Sequence, residues 1–338
     1  MRILIIGGTR NIGFSLAQDL LADGHHVTIF NRGKTPDTLP DAVERLRGDR
    51  TDPAQVEAAL AGRSFDAVVD MVLYKGVEAE TMARLLNGRV GHYIFVSTGQ
   101  VYLVREGIQR PFRESDYEGR LMPAPKPNTY GYEEWLYGVE KRQAEDALAA
   151  AWAKDKFPYT SLRLPMINSE RDHFYRLYGY VLRLLDGGPI LVPETPDYPL
   201  RHLYSGDGVR AIRRALESGP GQGRAYNIAQ DETVSLEKFL RILGDLLNVE
   251  PQVVKVRRSL LEANGFLPDC SPFSDRWMSE LDNTLSKTEL GMTYTPLREY
   301  LGRLVRYYAE NPMPLRPHGY RRRQSEIQFS LSLAEESS

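Results

Sequence analysis

The chain has 338 residues, enough for about two domains at roughly 100–200 residues each. With 43 Lys+Arg against 45 Asp+Glu its net charge is −2, which excludes the bulk positive charge of a general nucleic-acid or anionic-membrane binder. A single cysteine, Cys270, excludes an intrachain disulfide, and the histidines show no zinc-type spacing, so a cytoplasmic protein without a metal is expected.

The apolar run Met1–Ile6, broken only by Arg2, stops at Gly7. That is too short for the roughly 7–15-residue core of a signal peptide or for a membrane span of roughly 20 residues. It reads as a first strand, Arg2–Ile6. Further strands are predicted at His26–Phe30, Val43–Arg47, Phe65–Asp70, His92–Ser97 and Tyr159–Leu164, and helical periodicity falls between them at Ile12–Asp23, Pro53–Leu60, Val77–Leu86 and Glu133–Ala153. This alternation predicts an α/β fold, a Rossmann-like doubly wound parallel sheet, with ligands at the carboxyl ends of its strands.

After residue 165 the alternation gives way to a helix at Phe174–Leu185 and loops broken by Pro189, Pro193, Pro196 and Pro199. Arg224–Ile228 and Ser235–Leu247 are placed to return to the sheet. The expected organisation is a nucleotide-binding domain at 1–165 with returns near 200–230, a smaller interleaved C-terminal substrate lobe at 166–312, and a tail at 313–338. The Arg321-Arg322-Arg323 cluster and polar end of the tail predict a solvated arm.

The first strand runs directly into Gly7-Gly8-Thr9-Arg10-Asn11-Ile12-Gly13 and a helix, the arrangement in which backbone N–H groups and a helix N-terminus hold a dinucleotide pyrophosphate. Gly7 allows the tight turn and Gly13 the close packing of helix on sheet. At the end of the second strand, where a carboxylate would hydrogen-bond an adenosine ribose, stand Asn31, Arg32, Gly33 and Lys34. No acid there repels a 2′-phosphate, and Arg10 with Arg32 would clamp one, so NADP is expected. The alternative is an Arg32 that faces solvent, with NAD held through Asn31. After the third strand, Asp49 is offered to the adenine amino group, with Arg50 beside it.

Tyr137 and Lys141 stand four residues apart on one face of the Glu133–Ala153 helix. An ammonium beside a phenol favours the phenolate and would lower the tyrosine pKa into a range useful for proton transfer. The strand His92–Ser97 delivers Ser97 and Thr98 to the same carboxyl edge, and Thr98 is the hydroxyl expected to align a substrate oxygen for Tyr137.

These residues resemble those of an extended short-chain dehydrogenase/reductase, the family of NAD(P)-dependent nucleotide-sugar epimerases and dehydratases, over about residues 1–312. The marks are GGTRNIG, FVSTGQVY, YGVEK, LRLPMIN, RHLYSGDGVRAI and the stretch from YNIAQDETVSLEKFLRIL to LSKTELGMTYTPLREYLGRLVRYYAENP. The resemblance implies that Thr98, Tyr137 and Lys141 are the catalytic triad and that Lys141 also binds the nicotinamide ribose. It places Met71, Lys75, Ser97, Leu164 and Met166 along the cofactor and makes Arg201 a grip for a substrate phosphate, with a structural ion pair as the alternative. It also implies a homodimer through the helices near Val77–Leu86 and Glu133–Ala153.

Two features depart from the common pattern. Arg10 replaces the usual second glycine of the cofactor loop, as in an atypical branch that includes chloroplast stem-loop-binding-protein-like sequences. Gly99 and Gln100 follow Thr98 where sugar 4,6-dehydratases carry an Asp-Glu pair, so that elimination is not expected. The expected function is hydride transfer at a hydroxyl or carbonyl carbon of a nucleotide-sugar-like or other small substrate, with phosphorylated and nucleotide-linked compounds among the candidates and Tyr137 as acid/base. The rival is a non-catalytic nucleotide-sensing or RNA-associated protein, for which only Arg321–Arg323 offers a local basic contact. Residues 166–205 and 250–285 carry no pattern that names the substrate.

Overall fold

The computed structural model describes residues 1–219, 222–312 and 318–336. In chain order its first half contains β1 (Arg2–Ile6), α1 (Asn11–Ala22), β2 (His26–Asn31), β3 (Glu44–Arg47), α2 (Pro53–Leu60), β4 (Phe65–Asp70), α3 (Gly76–Leu86), β5 (Val90–Thr98), α4 (Gln100–Leu103), α5 (Tyr130–Asp155) and β6 (Tyr159–Leu164). Then follow β7 (Ile167–Asn168), α6 (Arg176–Leu185), β8 (Ile190–Pro193), β9 (Leu203–Tyr204), α7 (Ser205–Glu217), β10 (Arg224–Asn227), α8 (Leu236–Leu247), β11 (Val253–Val256), α9 (Arg258–Ala263), α10 (Thr284–Glu289), α11 (Leu297–Glu310) and α12 (Arg323–Glu336).

Seven strands form one parallel sheet in the order β10-β6-β5-β4-β1-β2-β3. Strand order reverses on passing from β1 to β4, so the loops after β1 and β4 diverge and leave a crevice at the carboxyl edge. The strands are nearly continuous apolar runs because helices cover both faces. Ile3, Ile5 and Val69 pack on the α1 and α7 side, and Leu4, Ile6 and Val68 on the side of α2, α3 and α5. Each fully buried branched side chain of this kind contributes about 1.5–3 kcal/mol. The expected return near residue 224 is real: Arg224–Asn227 pairs in parallel with Thr160–Arg163 and extends the sheet at its edge.

A separate apolar cluster binds α6, α8 and α11 through Tyr180, Leu184, Phe239, Leu243, Tyr300 and Leu304. This lobe overhangs the carboxyl edge of the sheet.

The tail departs from expectation. Its start near Pro314 lies outside the described residues, but α12 is packed rather than solvated. Arg323 donates through Nε and Nη2 to the two Asp186 oxygens, each at 2.7 Å, and Arg322 donates to the carbonyls of Gly265 and Asn264. The Phe329 ring packs tilted against that of Phe266, centroids 5.2 Å apart. Polar composition suggested a free arm, yet the cationic side chains find internal acceptors that sequence spacing does not reveal. Among the described residues, no helix is long and apolar enough to cross a membrane.

Candidate active site

Two cavities open along the carboxyl edge, one of about 610 Å³ over the β1–α1 turn and one of about 680 Å³ beneath the lobe. They meet at Asn11, Tyr74 and Ile167, which line both.

The first cavity is built by the glycine-rich turn. Gly7 and Gly8 take φ of +96° and +81°, a region that costs glycine little and other residues much. A Cβ on Gly13 would lie 2.7 Å from the Gly8 Cα, so α1 can approach the turn only with glycine there. The N-terminus of α1 has no side-chain cap, which leaves first-turn N–H groups open to an anion. The buried Asn11 Oδ1, Asn31 Nδ2 and Arg50 Nη2 have no hydrogen-bond partner within the protein. Uncapped donors and orphaned polar atoms lining a cavity of this size fit a dinucleotide.

Gly7, Thr9, Arg10, Asn11, Ile12, Gly13, Asn31, Arg32, Asp49, Arg50 and Met71 all line this cavity. Several are already engaged. Arg10 donates to the Thr35 hydroxyl at 3.0 Å, Asn31 Oδ1 accepts from Gly33 N–H and Arg47, and Asp49 Oδ1 accepts from the Thr51 N–H and hydroxyl. Those two Thr51 bonds hold the Asp49 carboxyl below its ordinary range. Arg50 donates to both oxygens of the buried Asp70 at 2.7 and 2.8 Å, and Tyr93 donates to the same carboxylate at 2.6 Å.

Thr98 ends β5 and Tyr137 projects from α5, and both side chains line the cavity beneath the lobe. Thr98 Oγ1 also accepts from the Gln100 N–H at 3.2 Å, so the threonine caps its turn as well as facing the cavity. The Tyr74 ring lies 6.2 Å from that of Tyr137. Sequence reasoning missed Tyr74, which follows β4 and lines both cavities; the crevice geometry alone identifies it. It also missed Glu134, one turn before Tyr137. This carboxylate accepts from Gln100 Nε2 at 2.5 Å and bonds Tyr130, and burial followed by neighbouring Asp275 pushes its pKa up.

Lys141 corrects an expectation. Its ammonium is only 3 % exposed, donates to the Val96 carbonyl at 3.1 Å, and sits over the rings of Tyr74 and Phe95 at 4.9 and 4.8 Å. Burial pulls this lysine down to about 7. Burial likewise pushes the Tyr137 phenol up rather than down. Spacing correctly put both groups on one helix face, but the cost of burying charge outweighs the expected charge effect.

Other expected cofactor contacts lie elsewhere. Ser97 is buried against Glu145, which pairs with Arg163 inside the protein. Leu164 is buried in the core, because the last residue of β6 faces α1 and α7. Lys75 starts α3 and pairs with Glu140 at 3.7 Å, its side chain 56 % exposed. Met166 lines the cavity beneath the lobe rather than the one over the glycine-rich turn. Arg201 lines neither: its Nε donates to the Gln230 carbonyl at 2.8 Å and its charge faces Asp231 and Asp282.

Residues 3–229 match the model of the NAD dependent epimerase/dehydratase family. The chain is 29 % identical over 290 residues to 2'-dehydrokanamycin reductase of Streptomyces kanamyceticus, spanning 83 % of this chain and 77 % of that protein. It is 38 % identical over 269 residues to chloroplast stem-loop binding protein of 41 kDa b of Arabidopsis thaliana, spanning 75 % of this chain and 65 % of that protein. Its fold is similar to UDP-glucose 4-epimerase of Thermotoga maritima solved with UDP-glucose, at TM-score 0.70 and 20 % identity over 93 % of this chain and 100 % of that one. It is similar also to a dTDP-glucose 4,6-dehydratase of Bacillus anthracis solved with NAD, at TM-score 0.71 and 17 % identity over 92 % of this chain and 97 % of that one. A dinucleotide cradle that opens onto a tyrosine and threonine is what that match predicts: the chain belongs to the NAD-dependent epimerase/dehydratase family and is an NAD(P)-dependent oxidoreductase/epimerase of the extended short-chain dehydrogenase type.

Proposed function

We propose that the protein is an NADP(H)-dependent reductase or epimerase of a small hydroxyl- or ketone-bearing substrate, with Tyr137 as proton donor and acceptor. The observation that carries this reading is the placing of Thr98 and Tyr137 together in the wall of the cavity beneath the lobe, beside Tyr74, whose ring lies 6.2 Å from that of Tyr137 and which also lines the glycine-turn cavity. Gly7 to Gly13 and the N-terminus of α1 would hold the pyrophosphate, and Arg10 with Arg32 a 2′-phosphate. The bound nicotinamide supplies or takes up hydride. Thr98 fixes the substrate oxygen, and Tyr137 gives it a proton in reduction or removes one in oxidation. Tyr137 carries its proton at neutral pH, and likeness to a named reductase supports the direction of reduction.

Elimination by an Asp-Glu pair after Thr98 is outside this reading, since Gly99 and Gln100 stand there. The reading places the enzyme in the cytoplasm as a homodimer through α3 and α5, with residues 1–165 and the return near 224 binding nucleotide and 166–312 mainly substrate. An RNA-associated role is disfavoured by the internal engagement of Arg322 and Arg323.

The test is turnover of a panel of sugars, amino sugars, nucleotide sugars and small ketones with NADPH or NADP⁺, followed by nicotinamide absorbance. Tyr137→Phe abolishes turnover while nucleotide still binds. Full activity in that variant on an identified substrate overturns the assignment. Retention of a nicotinamide nucleotide through purification, read by mass spectrometry, supports epimerisation over reduction.

A further inference from the structure

The substrate cavity holds little uncommitted positive charge. Among its described lining residues there is no lysine, and Arg176 and Arg183 are the cations. Each is claimed by a carboxylate. Arg176 donates through Nε and Nη2 to the two Asp172 oxygens at 3.1 and 3.2 Å. Arg183, only 1 % exposed, donates through Nε and Nη2 to the two Glu326 oxygens at 2.9 and 2.6 Å. Its other contacts are the carbonyls of Gly179 and Gly319, at 3.0 and 2.9 Å.

Glu326 belongs to α12, so the partner that neutralises Arg183 comes from the C-terminal segment. Arg323 fastens the same segment by bridging Glu326, Asp186 and the Pro189 carbonyl. Gly319 and Tyr320, at its start, form part of the cavity wall. Arg201, the residue best suited by sequence to grip a phosphate, is directed away to Gln230.

A pyrophosphate leaves water only where charge-assisted partners replace its hydration. This cavity offers it the opposite: the Glu134 carboxyl, with Asp275 close by, and rings of Tyr74, Tyr130, Phe174, Tyr175 and Trp277. Aromatic faces and a carboxyl suit sugar-like hydroxyl faces or an amine, not a phosphate chain.

We propose that α12 sets the substrate class: by holding Arg183 through Glu326 it leaves the cavity without a cation for phosphate, so the enzyme takes a small phosphate-free substrate, uncharged or amine-bearing. This rests on the oxidoreductase reading above and narrows the substrate of the same site.

The test is calorimetric titration of the NADP⁺-saturated protein with UDP and with UDP-glucose. Wild type shows no binding below millimolar concentration. Glu326→Gln, which frees Arg183 toward the cavity, gains affinity for UDP by about tenfold or more. Arg183→Leu combined with Glu326→Leu replaces the pair with apolar atoms, folds, and gains nothing. If Glu326→Gln does not fold, the wild-type titration and the substrate panel decide: turnover confined to phosphate-free members supports the proposal. Micromolar UDP-glucose binding by wild type, or a folded Glu326→Gln protein with no gain, overturns it. Tyr137-dependent turnover of a nucleotide sugar overturns it while leaving the oxidoreductase reading intact, whereas failure to bind any nicotinamide nucleotide refutes that reading itself.

Discussion

Lys141 rests its ammonium 3.1 Å from the Val96 carbonyl oxygen and 5.9 Å from the centre of the Tyr137 ring, one helical turn away on α5. The ammonium is thus committed to the backbone end of β5 and to ring faces, while Tyr137 and Thr98 line the cavity beneath the lobe. On the proposed reading proton handling is therefore divided, with Thr98 and Tyr137 at the substrate and Lys141 behind them.

Removing the phenol tests that division. Tyr137→Phe lowers kcat by roughly 10²–10⁴-fold, the usual range for a general acid or base, without weakening nucleotide binding. Thr98→Val loses less, because Tyr137 keeps its proton but the substrate oxygen loses an aligning partner. Steady-state kinetics on a panel substrate and fluorescence titration with NADP⁺ check both variants.

The buried lysine gives nucleotide-free protein a defined pH dependence. Its pKa falls from 10.5 unfolded to about 7 folded, so between these values the unfolded chain binds more protons. Stability from this group therefore rises with pH across that window, and its destabilising cost is fully present below about 7. Lys141→Met is accordingly more stable than wild type at about pH 6, and the advantage closes by about pH 10. Thermal unfolding of the two proteins across pH measures the difference, and a gap independent of pH refutes the assignment.

Gly13 is held by contact rather than by conformation. Its missing Cβ would meet the Gly8 backbone at 2.7 Å, so Gly13→Ala must push α1 from the turn. Overpacking of this kind costs about 1–3 kcal/mol. Denaturant unfolding should show that loss, and titration a parallel loss of dinucleotide affinity, since the same displacement moves the N–H groups of the first helical turn.

The basic edge of the nucleotide cavity predicts cofactor choice. Arg10→Ala with Arg32→Ala reduces the preference for NADP⁺ over NAD⁺ by about tenfold or more and leaves NAD⁺ affinity nearly unchanged. Equal affinities of wild type for the two nucleotides would remove the argument.

Much of the scaffold was legible because it is local. The strands Arg2–Ile6, Phe65–Asp70 and Tyr159–Leu164 and the helix Pro53–Leu60 fall where apolar runs, turn residues and the Asp52 cap place them. Tyr130 to Tyr132 were not included in α5, although Thr129 caps that helix by accepting from the Tyr132 N–H. The placing of residues that depend on a turn or helix face was equally readable: Gly7 and Gly13 line one cavity, Thr98 and Tyr137 the other. Arg201, Lys75 and Ser97 were not, because each was assigned by position in a motif while its side chain answers to Gln230, Glu140 and Glu145 from distant segments.

The sequence by itself determined the alternating architecture, the glycine-rich turn after the first strand and the shared helix face of Tyr137 and Lys141, since glycine freedom, strand and helix periodicity and side-chain type act over a few residues. Tertiary structure alone decided the electrostatics. Burial sets the pKa of Lys141, Tyr137 and Glu134. Arg183 meets Glu326 across a sequence separation of 143 residues, turning an apparent free tail into part of the substrate cavity. Desolvation and pairing depend on what surrounds a charge in space, and no spacing along the chain encodes that.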